Sequence, residues 1–194
     1  LYITSNLKYV YMVKWCYKMT EKTENIWTKL LGSSQNDSSF GISTSFDGSI
    51  YITGDTQGNL DGETNNGGSD GFLTKYSSDG TKIWTKLIGT YSNESSRGLA
   101  VGNDGYIYVT GYTNGNLDGE NNSGNYDSFL TKFSSNGKKV WTKLLGYSDT
   151  DYSFGISSTS DGSIYITGYT FGNIDGETNA GGRDGFLSKY LSDG

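Results

Sequence analysis

From Ile26 onward, apolar and aromatic residues come in short runs separated by Gly, Asn, Asp and Ser, and the runs return every 57 residues. Each period offers four strand candidates. In the middle copy they are Arg97–Val101, Tyr106–Tyr112, Ser128–Phe133 and Lys139–Leu145. The second, YIYVTGY, is aromatic or β-branched nearly throughout, as a strand on a pleated, half-buried surface should be. No stretch keeps the 3.6-residue apolar period of a helix over the ~11 residues needed to identify one. Between the first and second candidates lies Asn103-Asp104-Gly105, matched by Asp47-Gly48 and Asp161-Gly162; between the third and fourth lies Asn136-Gly137, matched by Asp79-Gly80 and Asp193-Gly194. Asp-Gly and Asn-Gly between strands predict two-residue type I′ hairpins, with both central residues at positive φ. The pattern therefore predicts two hairpins per period.

The period is strict. Trp27, Trp84 and Trp141 mark it, as do Asp47, Asp104 and Asp161, Gly54, Gly111 and Gly168, and Asp70, Asp127 and Asp184. Residues 41–80 and 155–194 match at 30 of 40 positions without a gap. Four antiparallel strands per period predict an all-β fold, a β-propeller built of four-stranded blades, because a single blade cannot bury both faces and must stack on its neighbours. A β-solenoid, with its shorter coils, has no place for two hairpins in each. The repeats run over 27–83, 84–140 and 141–194. Residues 1–26 read as the degenerate end of a preceding repeat, WCYKMTEKTENIW falling on FLTKYSSDGTKIW one period later, or as a leader.

With the strands of a blade lettered A to D, the chain reads D from about Ile26, then ABCD, ABCD, ABC. Three blades are fewer than the ~4–8 of known propellers. The expectation is a partial ring: a piece of a longer propeller, or a ring completed head to tail by another copy.

The string DGSIYITGYTFGNIDGETNAGGRDGFLSKYLSDG (161–194) resembles the bacterial SBBP repeat. Its Asp-Gly-x-Ile-Tyr-x-Thr-Gly core, its Asp-Gly-Glu-Thr-Asn-x-Gly-Gly loop and its Asp-Gly-Phe-Leu-x-Lys run carry the likeness, which covers about 27–194. The resemblance implies a propeller of secreted or surface-exposed bacterial proteins, and little about activity. The middle copy departs from it, with Asn121 to Tyr126 in place of the Thr-Asn-x-Gly-Gly loop.

Composition removes some functions. The net charge of −6 and pI near 4.6 leave no basic surface for nucleic acid; Lys138-Lys139 is the one adjacent basic pair. No apolar run approaches the ~20 residues of a membrane helix. One cysteine, Cys16, allows no intrachain disulfide, and the absence of His removes the commonest general base and metal ligand. No nucleophile motif stands out, and near-identical repeats do not single out one active site, so no catalytic residue is expected.

The chemistry-bearing candidates are acids in the loop between the second and third strands. Asp61, Glu63 and Asp70 recur as Asp118, Glu120 and Asp127 and as Asp175, Glu177 and Asp184. Oxygen-rich, Gly-punctuated loops suit calcium, which takes 6–8 hard oxygen ligands. Asp61, Glu63 and Asn65 alternate as the first ligands of an EF-hand would, but Asn66 and Phe72 stand where that loop needs Gly and Glu. The alternative is that these residues only shape turns. A second recurring acid, Asp37, Glu94 and Asp151, reads as a solvated loop charge or an adjunct to a metal site. The Trp series and the tyrosines read as blade packing or as the floor of a sugar-binding groove. The expectation is a non-enzymatic, calcium-stabilised structural or adhesive module at a bacterial surface, with a protein or glycan partner; the alternatives are a repeat lectin and a propeller hydrolase.

Overall fold

The computed structural model describes residues 24–194, in which residues up to Leu30 form a unit separate from Leu31–Gly194. Most of the degenerate repeat or leader expected over 1–26 lies outside the described residues. Among the described residues there is no helix. Eleven strands among the described residues form three antiparallel sheets, in each of which every neighbour in space is a neighbour in sequence. The first sheet holds β1 (Asp37–Thr44), β2 (Ile50–Thr56), β3 (Asp70–Tyr76) and β4 (Lys82–Ile88). The second holds β5 (Glu94–Val101), β6 (Ile107–Thr113), β7 (Asp127–Phe133) and β8 (Lys139–Leu145). The third has three strands, β9 (Asp151–Ser158), β10 (Ile164–Thr170) and β11 (Asp184–Tyr190).

Residues 24–36 contain no strand, which corrects the expectation of a leading fourth strand at Ile26. The sequence Trp27-Thr28-Lys29-Leu30-Leu31 nearly repeats Trp84–Ile88 of β4, but a strand exists only with a ladder partner, and this segment has none among the described residues.

The hairpin turns also differ from expectation. At Asp47-Gly48 only the glycine has positive φ, and the Gly48 amide donates to Ser45 O at 3.0 Å while Ser45 N donates to Ser49 O at 2.9 Å. This is a type I turn over Phe46-Asp47 closed by a glycine bulge, not a two-residue I′ turn. It recurs at Gly80, Gly105, Gly137 and Gly162. The turn aspartates earn their place by accepting bonds: Asp47 Oδ1 takes the Ser45 hydroxyl and, at 2.9 Å, the Ser49 amide. Those bonds hold the Asp47 carboxyl down at about 2.

The core lies between sheets. Tyr51, Leu73 and Ile88 of the first meet Leu99, Val109 and Phe129 of the second; Tyr108 and Leu130 of the second meet Ile164 and Ile166 of the third. With both faces covered, β7 is buried at every position, whereas β11 alternates between half-buried and exposed. Gly98 allows the close approach, since a Cβ there would stand 2.5 Å from the Phe154 carbonyl oxygen of β9. Lys75 reaches across one seam to Ser135 O at 3.3 Å and Lys132 across the next to Ser192 O at 2.7 Å, each 60 residues along the chain.

Candidate functional site

The acidic loops divide their carboxylates between two tasks. Asp61-Gly62 is a two-residue hairpin turn, with φ of 55° and 87° and Leu60 and Glu63 exchanging backbone bonds at 3.1 and 3.0 Å. This is the I′ geometry, and Asp is among the few side-chain-bearing residues that tolerate it. Asp118 and Asp175 have φ of 55° and 48°. The carboxylates of the first two repeats face the fourth strand. Asp61 pairs with Lys82 and accepts the Thr85 hydroxyl at 2.6 Å, and Asp118 takes Lys139 at 2.6 Å and Thr142 at 2.6 Å. Partial burial raises the Asp61 carboxyl, but the bonds from Lys82 and Thr85 outweigh it and hold the group below the usual range. Glu63 pairs with Lys86 and Glu120 with Lys143. In the third sheet, which has no fourth strand, Asp175 and Glu177 are exposed.

Asp70, Asp127 and Asp184 do not join them. Each begins a third strand and accepts a backbone amide four residues back, from Asn66 at 3.0 Å, Ser123 at 2.9 Å and Ala180 at 2.6 Å. Asp70 then faces Glu94, and Asp127 faces Asp151, across the seam between sheets. Parallel bridges Ser69–Asn93 and Tyr126–Thr150 set each pair side by side. All four are 0 or 1% exposed, so the acid read as a solvated loop charge is buried at Glu94 and Asp151. Glu94 is well bonded, taking Thr90 N at 2.6 Å, the Thr90 hydroxyl at 2.9 Å and the Thr113 hydroxyl at 2.6 Å. Asp70 Oδ1, Asp127 Oδ1 and Asp151 Oδ1 are buried with no hydrogen-bond partner. Burial, with the Glu94 charge adding to it, pushes Asp70 up to about 6; burial, then the facing acid, raises Asp127. Asp151 is raised too, by burial first. Among the described residues no three acidic side chains converge as a metal-ligand group.

Trp84 and Trp141 are packing residues, whereas Trp27 is 43% exposed. Trp84 lies against Tyr51 with ring centroids 6.0 Å apart, and Trp141 against Tyr108 at 6.1 Å. A different aromatic group is open. Tyr112, Tyr126, Tyr152, Phe154, Tyr169 and Phe171 form a continuous cluster, Tyr112–Tyr152 closest at 4.3 Å between centroids and Tyr169–Phe171 edge-on at 5.7 Å. Phe154 is 41% and Phe171 48% exposed. Phe154 sits at a β-bulge in β9, as Arg97 does in β5 and Phe40 in β1, and a bulge re-aims the extra side chain. The Arg97 guanidinium lies 3.8 Å from the Phe40 ring centroid and donates to Tyr112 Oη at 2.6 Å; Arg183 lies 4.6 Å from Tyr169. Sequence reasoning missed this cluster because the period hides it. Asp55, Tyr112 and Tyr169 share one repeat position, and Ser38, Ser95 and Tyr152 another. The signal is departure from the repeat, the reverse of what identified the fold.

Stacked antiparallel sheets with this connectivity define an all-β repeat protein. The sequence profile of the SBBP beta-propeller repeat matches residues 26–61 and 83–118, two windows 57 residues apart. The chain carries repeats of that family. It is also 32% identical over 168 residues to the regulatory protein FlaEY of Caulobacter vibrioides, a match that covers 78% of this chain and 18% of that protein. The chain thus spans about a fifth of the length of this curated relative. Among the described residues no helix is long and apolar enough to cross a membrane.

Proposed function

We propose that the chain is a non-enzymatic propeller segment that binds a macromolecular partner through the aromatic cluster of its second and third repeats, in a surface-exposed or secreted bacterial protein. The observation that carries this reading is the departure from repeat symmetry. Residues that only hold blades together recur in every copy, whereas these rings occur where copies differ and remain partly exposed. Aromatic side chains of this kind supply much of the contact energy in interfaces at low entropic cost. The name of the relative, a regulatory protein, agrees with a role exercised through contacts. Substituting Tyr152, Phe154 and Phe171 together by Ala should abolish capture of the partner from the source organism while leaving the melting temperature within a few degrees; retention of capture would refute the assignment.

A carbohydrate partner is the second reading, favoured by the Tyr169–Phe171 platform beside Arg183. Its test is a glycan array, on which the triple variant must lose any signal of the parent.

The same proposal includes completion of the ring by like repeats. Ile42 is 70% exposed, whereas its counterpart Leu99 is 7% exposed; Leu187 is 72% exposed, whereas Leu73 is at 0%. Both end faces thus expose what the internal seams bury. Thr28 and Lys29 repeat Thr85 and Lys86, which hold Asp61 and Glu63, so segment 27–31 of a second copy matches the missing neighbour of β11, beside Asp175 and Glu177.

A further inference from the structure

The geometry points to a hard divalent cation, calcium above others, held at each internal seam by Asp70 with Glu94 and by Asp127 with Asp151. This goes beyond the interaction reading and stands without it.

Four observations converge. First, these are the most buried acids among the described residues, and three of their oxygens, Asp70 Oδ1, Asp127 Oδ1 and Asp151 Oδ1, have no donor. A buried carboxylate oxygen without a partner is costly, and two facing carboxylates more so, unless positive charge lies between them. Second, no basic side chain among the described residues supplies that charge. Among the described residues the lysines and arginines pair with Asp55, Asp61, Glu63, Asp104, Asp118 and Glu120, and none with these four acids. Third, the acids are brought close by glycine. A Cβ on Gly146 would collide with Asp127 Oδ1 and stand 2.9 Å from Asp151 Oδ2, so both carboxylates lie against one glycine, and a Cβ on Gly89 would collide with the Asp70 carboxyl. Fourth, the arrangement is built twice, from the same parallel bridge and the same amide clamp. Asn66 N and Ser123 N each fix one oxygen of the third-strand acid and leave its mate free, and Tyr147 N does the same for Asp151.

The donors are oxygens alone, which selects hard cations over zinc or copper. The oxygens without a donor are Asp70 Oδ1 at one seam and Asp127 Oδ1 with Asp151 Oδ1 at the other, and calcium completes its shell of 6–8 with water or neighbouring oxygens more readily than magnesium, which demands a strict octahedron. The site is distinct from the loop triads, because Asp61, Glu63, Asp118 and Glu120 are engaged by lysines.

The test is thermal unfolding of the 194-residue chain, stripped with chelator at pH 7.5 and titrated with CaCl2 against NaCl of equal ionic strength. A hundredfold excess over Kd should raise the melting temperature by about 5 to 10 °C per site. The Asp70→Asn/Asp127→Asn variant should lose the shift, and Asp61→Asn/Asp118→Asn should keep it. A terbium titration of the unmodified chain, displaced by calcium, should saturate at no fewer than two ions per chain, and serves even where a variant fails to fold. No thermal shift and no terbium binding would overturn the proposal, leaving a shared proton between the acids; so would a shift lost only with the Asp61/Asp118 variant.

Discussion

Asp127 and Asp151 lie on different sheets, yet the Asp151 amide donates to the Tyr126 carbonyl at 2.7 Å, and the parallel bridge between Tyr126 and Thr150 brings the two carboxylates together at the next residue. The same bond from Glu94 N to Ser69 O, also 2.7 Å, builds the other pair. The backbone contact that joins one repeat to the next is thus also the contact that opposes two acids.

Burial of these acids, with the facing charge adding to it at Asp70 and Asp127, gives a pH dependence in the absence of cations. Native Asp70 keeps its proton up to about 6 against an ordinary 3.8, with Glu94 of β5 the charged group facing it. Between those values the native state binds more protons than the unfolded one, so stability falls as pH rises through the interval. Asp127 and Asp151, also raised, act in the same direction. Asp47, Asp79 and Asp161, held at about 2, act oppositely: their contribution is complete above 3.8 and lost as pH falls toward 2. Urea unfolding in chelator should show maximal stability near pH 4 to 5 and a decline toward pH 7; the decline should flatten in Asp70→Asn.

The loop aspartates should matter through conformation. Asp61→Ala keeps φ of 55° without the side chain that suits it and should cost about 1 to 2 kcal/mol. Asp61→Asn keeps a residue at home in that region and loses only a partly exposed ion pair, for less than about 1 kcal/mol. Equal losses in the two variants would contradict the turn assignment.

Strand positions were legible because the 57-residue period and the Gly-containing turns repeat without interruption: β8 has the bounds expected for it, Lys139–Leu145. Turn types were not. Asp-Gly dipeptides look alike in sequence, but Asp47-Gly48 closes a bulged hairpin and Asp61-Gly62 the I′ turn, depending on the bonds each aspartate makes. The fourth strand expected at Ile26 failed for a nonlocal reason, since its sequence suits a strand and no ladder partner lies beside it among the described residues. The pairing of Asp70 with Glu94 was also hidden, because sheet stacking, and not sequence spacing, brings them together.

Close approach of sheets should be intolerant of bulk. Gly98→Ala would drive a methyl group against the Phe154 carbonyl and force the seam apart, at about 1 to 3 kcal/mol. The exposed Phe171→Ala should cost under about 1 kcal/mol, against about 3 to 5 kcal/mol for buried Phe129→Ala. Comparing the three urea midpoints separates seam, surface and core.

The end faces lend themselves to charge reversal. If Lys29 of one copy meets Glu177 of the next, Lys29→Glu should weaken self-association and Lys29→Glu with Glu177→Lys should restore it, read by sedimentation at several concentrations.

The most direct measurement is native mass by light scattering of the 194-residue chain. A dimer or larger closed species that dissociates when Leu187→Lys is introduced is the result expected of sheets that continue their stacking from copy to copy. A folded, monodisperse monomer, unaffected by that substitution, would contradict it.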